Sequence, residues 1–143
     1  RSTARVGGRS RPRVRSVSMN VHVGRIVDCF GFDARRVGPD KLAALPRPAM
    51  QFVFLDEHPD SLGGTAFWIT PAAGRDAIIA SYPGALHNSR AGLSFADGHV
   101  ELHRWQDSRT RPPVKGESWL GETPSPDNRD IAWLQERTFF PED

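Results

Sequence analysis

The sequence predicts an α+β domain, with a small antiparallel β-sheet, long loops and a short C-terminal helix. Three observations carry that expectation. Twelve Pro and thirteen Gly are spread along 143 residues, which favours short strands and many turns over long helices. Several short apolar or alternating runs read as strands, and one stretch near the end, from about Asn128 to Arg137, reads as a helix. A chain of this length suits one domain with a modest core, close to the size at which burial and chain entropy nearly cancel.

Residues 1–14 are rich in Arg, Gly and Ser without apolar periodicity and are expected to form a disordered basic arm, leaving residues 15–143 as the globular domain. Val17 and Met19 alternate with Ser16 and Ser18 as in a half-buried strand, which Val21, Val23 and Ile26 continue irregularly. The segment from Asp33 to Gly38 is turn-like. Pro39 to Leu45 suits one or two helical turns stopped by Pro46 and Pro48. Phe52-Val53-Phe54-Leu55 is continuously apolar and reads as a central strand buried on both faces. Gly63-Gly64 turns the chain into Thr65 to Thr70, with Phe67 and Ile69 on one face and Trp68 on the other. Asp76 to Ser81 is apolar enough for strand or helix, and Arg109 to Ser118 is an extended connection. In the last helix Asp127 is the expected N-cap and Asp130 belongs to an acidic first turn, while Ile131 and Leu134, flanked by Trp133, dock on the sheet.

The stretch from His87 to Trp105 combines strand pattern, turn chemistry and functional side chains. Asp97-Gly98 suits a tight turn between two strands. On that reading Leu93, Phe95, Val100 and Leu102 face a core, and His99, Glu101 and His103 project together from the opposite side. His87 and Asp97 then stand roughly 30 Å apart if the intervening segment is fully extended, so they share a site only if it bends near Gly92.

Charge is distributed unevenly. Arginines 1, 5, 9, 11, 13 and 15 are six of the nineteen basic residues, no acid occurs before Asp28, and the other thirteen basic and seventeen acidic residues leave the body at −4. Such an arm can meet phosphates or an anionic surface by charge alone, but nucleic-acid binding is not expected. Cys29 is the only cysteine, so an intramolecular disulfide and a Cys-based zinc framework are excluded, and a buried packing role suits it. No apolar run approaches the ~20 residues that span a bilayer, so the chain as given is expected to be soluble. There is no P-loop, no G-x-G-x-x-G and no G-x-S-x-G elbow, and Ser94 with His87 or His99 and Asp56 or Asp97 supplies only the common residue types of a triad.

Two metal readings follow from the side chains. Asp56, Glu57, Asp60 and Asp97 offer the hard oxygens that suit calcium, although Asp in loops as readily caps turns. His99, Glu101 and His103 at i, i+2, i+4 on one strand face offer ligands for a transition metal, with the solvent face of an amphipathic strand as the plain alternative. No cofactor is required by either pattern. Phe67, Trp68, Trp105 and Trp119 suit core packing better than stacking on sugars or bases.

His87, nine residues and Asp97-Gly98 resemble the H-x(9)-DG signature of the prepilin-type processing-associated C-terminal domains of pseudopilin-like proteins. Arg15 to Asn20 is similar to the family's R-S-x-S-M-N stretch, Phe54 to Ser61 to its F-x-D-E-x-P-D-S stretch, and Asn128 to Thr138 to its closing segment. The blocks run in the family's order over residues 15–138. The resemblance implies a pseudopilin-like globular domain without its N-terminal hydrophobic helix, a non-enzymatic subunit of a type II secretion or type IV pilus-like assembly. It further implies an extracytoplasmic location, other pseudopilin subunits or secreted cargo as partners, and anchoring only through that helix. His87, Asp97 and Gly98 are then structural motif residues. The alternative is an extracytoplasmic carbohydrate-binding or metal-dependent hydrolytic domain that uses the acidic cluster and the histidine stripe.

Overall fold

The computed structural model describes residues 3–6, 9–12, 15–24, 39, 41–62, 66–116, 122–138 and 140. Its strands are β1 (Thr3–Val6), β2 (Arg9–Pro12), β3 (Val17–Asn20), β4 (Phe52–Asp56), β5 (Ala66–Phe67), β6 (Ile78–Ile79), β7 (Arg90–Phe95), β8 (Val100–Arg104) and β9 (Thr123–Pro124), followed by helix α1 (Arg129–Glu136). Five strands form the main sheet in the order β5-β3-β4-β7-β8. All neighbours are antiparallel except β3 and β5, so the sheet is mixed where an antiparallel one was expected. The α+β class, the long loops and the single C-terminal helix stand as expected. Cys29, the Asp33–Gly38 and Gly63-Gly64 turns and Trp119 lie outside the described residues.

β1 and β2 pair antiparallel with Val6 opposite Arg9.

β4 is the middle strand, as its apolar run predicts, but it is not buried on both faces. A β-bulge between Phe52 and Phe54 shifts the register against β7, so Phe52 and Leu55 both point into the core and Phe54 points out, 45% exposed. β3 also departs from its pattern. Ser18 and Asn20 are buried, and Val17 and Met19 lie on the other face.

The hairpin shows the same inversion with a clear cause. Asp97-Gly98 does not form a two-residue loop. Phe95 N–H donates to His99 O and Gly98 N–H donates to Phe95 O, so the loop has three residues, Ala96-Asp97-Gly98, with Gly98 at φ 95. One extra residue flips every side chain of the second strand. Leu93 is therefore opposite Glu101, and Ala91 opposite His103, which puts Glu101 and His103 on the core side. Val100 and Leu102 face outward, 71% and 67% exposed.

One core joins sheet, loops and helix: Phe52, Leu55, Phe67, Ile79, Leu93, Trp105 and Leu134 are its largest fully buried apolar members. Phe67 and Trp105 are thus packing residues, and the Trp105 indole N–H donates to Gly84 O at 2.8 Å. α1 docks through Ile131 and Leu134, each contributing about 1.5–3 kcal/mol by burial. Its N-cap is Asn128, not Asp127: the Asn128 Oδ1 accepts from the Asp130 and Ile131 amides, while Asp127 takes φ 53 outside the helix.

The loop geometry has a direct consequence. Nothing crowds a Cβ at Gly98, so Gly98→Ala tests backbone strain alone and is expected to lower unfolding free energy by about 1–2 kcal/mol in a urea titration. An unchanged midpoint would contradict the three-residue loop.

Candidate functional site

Of the carboxylates expected as calcium ligands, Asp56, Glu57 and Asp60 lie at or just beyond the end of β4 and Asp97 lies in the loop between β7 and β8, and each is turned to a different protein partner. Asp56 Oδ2 accepts the Gly92 amide at 3.0 Å, and the Asp56 carbonyl accepts from Gly84 N–H at 2.6 Å. Glycine at 84 suits that approach, because a Cβ there would stand 3.1–3.3 Å from Asp56 and press the two segments apart by a few tenths of an ångström. Asp60 accepts the amides of Lys115 at 2.6 Å and Gly116 at 3.0 Å. Between them, buried His58 accepts the Asp60 amide on Nδ1, which leaves Nε2 to donate to Pro112 O at 3.0 Å. The 58–61 turn thereby holds the 112–116 loop against the sheet.

Glu57 is the most unusual of the group. Its backbone amide donates to Ser16 O, and its buried carboxyl receives Ser18 Oγ on one oxygen and Ser61 Oγ on the other, the latter at 3.1 Å. Ser61 Oγ in turn accepts the Tyr82 amide at 2.9 Å. Burial pushes the Glu57 pKa from 4.5 up to about 7, against the opposing pull of the two hydroxyls and Arg15.

Asp56 and Glu57 floor a crevice of about 80 Å³ whose walls include Arg15, Leu86, His87 and Arg90. Ligand pockets typically begin near ~300 Å³, so the crevice is too small to enclose a drug-sized substrate. His87 sits here because the chain bends before β7: Ser89 N–H donates to Ala85 O, Arg90 N–H to His87 O, and Asn88 and Ser89 take φ 53 and 61. Asp97 lies at the far end of β7, where its carboxylate is 2.6 Å from His99 Nδ1 and also accepts the His99 amide. That contact holds the Asp97 pKa below the ordinary carboxylate value. The ends of the H-x(9)-DG stretch do not meet.

The histidine stripe is likewise divided. His99 stacks on Phe95 with ring centroids 4.2 Å apart, at the hairpin tip. Glu101 reaches His103 at 3.5 Å, and the His103 ring lies flat on Trp133 at 3.6 Å and edge-on to Trp105 at 4.8 Å. The Arg137 guanidinium also lies over Trp133, 3.9 Å from a ring centroid. Burial is the main cause of a lowered His103 pKa, opposed by Glu101. Among the described residues no three His, Cys, Asp or Glu side chains converge where a metal ion would sit.

Several important residues were not singled out from sequence as functional. Buried Asp130 accepts the amides of Gln106 at 2.9 Å and Asp107 at 2.9 Å, joining α1 to the segment after β8. Asn20 donates to Phe52 O at 3.1 Å and reaches Thr138, tying β3 to the end of α1. An Asp in a first turn and an Asn at a strand end are ordinary residue choices, so composition gave no signal.

No family model, no curated protein and no solved structure matches the chain. Among the described residues, no helix is long and apolar enough to cross a membrane.

Two measurements check the site. A carboxyl whose folded pKa is raised binds its proton more tightly in the folded state, so the Glu57 contribution is unchanged below pH 4.5, falls as pH rises from 4.5 to about 7, and stays unfavourable above that. Glu57→Gln, which keeps the shape of the neutral acid, is expected to raise Tm by about 5 °C more near pH 8 than near pH 5; equal shifts at both would contradict the assignment. Melts with calcium and with EDTA are expected to coincide, with Asp56→Ala lowering Tm equally in both by removing the Gly92 partner. A calcium-dependent rise lost in Asp56→Ala would instead mean that the carboxylates reorganise around an ion.

Proposed function

We propose that this chain is the globular domain of a pseudopilin-like subunit of a type II secretion or type IV pilus-like assembly. On this reading it acts outside the cytoplasm, without catalysis, through surface contacts with other subunits or secreted cargo. The observation that supports it is the use to which the four motif blocks are put. Ser18 and Asn20 from the first, Asp56 to Ser61 from the second, Gly92 within the H-x(9)-DG stretch, and Asn128, Asp130 and Thr138 from the closing segment are joined by side-chain hydrogen bonds that link sheet, loops and helix. Motif residues spent in this way preserve a shape, which suits a domain whose work is done by its surface.

The test is to express the native gene with its own upstream codons beside a prepilin peptidase and the pseudopilins of the same cell. Expected are a shortened, membrane-associated product and in vivo cross-links from surface positions of this domain to those subunits. A product that stays cytosolic, unprocessed and uncross-linked would end the proposal.

A further inference from the structure

We propose that β8 is a self-pairing edge through which two copies of this chain join into one continuous ten-stranded sheet. β8 stands at the end of the main sheet, and among the described strands its sole neighbour is β7. The bonds flanking the ladder are His99 O with Phe95 N–H and Ser89 O with Trp105 N–H, both odd-numbered pairs. An antiparallel ladder alternates, so the peptide groups of Val100, Leu102 and Arg104 point to the open edge. Protein edges are usually blunted by Pro, a bulge or charge facing the partner. β8 has no Pro and no register irregularity, and it presents Val100 and Leu102 as the two most exposed large hydrophobics of the described residues.

A second copy fits this edge because Val100-Glu101-Leu102-His103-Arg104 is complementary to itself. A two-fold axis through Leu102 pairs Leu102 with Leu102, Val100 with Arg104 and Glu101 with His103 of the partner subunit. All three outward peptide groups of each strand are then bonded, six hydrogen bonds in total by the antiparallel pattern. An axis through Glu101 sets two carboxylates face to face, which opposes pairing. One through His103 leaves Val100 unpaired. The Leu102 register also covers apolar surface on the outer face, where Met19, Phe54, Ser94 and Val100 already align across four strands. This inference does not depend on the secretion reading.

Sedimentation across a concentration series tests it on the full chain. A reversible monomer–dimer equilibrium is expected, its dissociation constant raised at least about tenfold by Leu102→Lys and unchanged by Val17→Lys on the same face away from the edge. Circular dichroism confirms that each variant folds, and Val100→Lys replaces Leu102→Lys if the latter does not. In a Cys29→Ser background, Leu102→Cys is expected to oxidise to a covalent dimer, because paired Cα atoms about 5.5 Å apart suit a disulfide. A monomer at every concentration overturns the proposal, even one that takes up an added strand peptide at this edge. So does a dimer indifferent to Leu102→Lys, or one in which Leu102→Cys fails to cross-link.

Discussion

Burying the Glu57 carboxyl is the constraint on which the rest of this fold depends. A carboxyl withdrawn from water needs hydrogen-bond partners on both oxygens, and here those partners come from Ser18 on β3 and Ser61 in the following turn. To supply its hydroxyl, Ser18 has to face inward, and Asn20 two residues on faces inward with it. Val17 and Met19 are thereby turned outward, next to Phe54, which the bulge in β4 turns the same way. The apolar outer face of the sheet is a consequence of a polar requirement on the inner one.

Around that centre the domain repeats one device, a carboxylate or amide side chain that accepts backbone N–H groups of a distant loop. Asp56 holds the start of β7, Asp60 the 115–116 loop, and Asp130 the segment after β8. A buried amide left without its acceptor costs about 1–3 kcal/mol, a large fraction of the stability of a domain this size. Loops rich in Pro and Gly make few ladder bonds of their own, and these side chains supply what the short strands cannot. Each of these carboxylates thus already has a protein partner.

How much of this was legible in the sequence varies with the kind of signal. Apolar run length found β4 as the central strand, and apolar spacing placed Ile131 and Leu134 of α1 against the core. Alternation alone misled wherever parity was set by something non-local. In β8 the three-residue loop reversed the faces, so Val100 and Leu102 became surface and His103 moved beneath Trp133. In β3 the pull of Glu57 and Thr138 outweighed the burial of Val17 and Met19. No periodicity encodes a partner dozens of residues away, and for that reason the roles of Asp130 and Asn20 were hidden.

The central claim is that side-chain acceptors, and not ladder bonds alone, hold the loops to the sheet. Native-state hydrogen exchange tests it most directly at the amides of Tyr82, Gly92, Gln106 and Asp107, each of which donates to a side chain. If the account is right, these amides exchange only through global unfolding, with the same opening free energy as the β4 and β7 ladder amides. Exchange of the Tyr82, Gln106 and Asp107 amides at rates typical of open loops, while the strands stay protected, would contradict it.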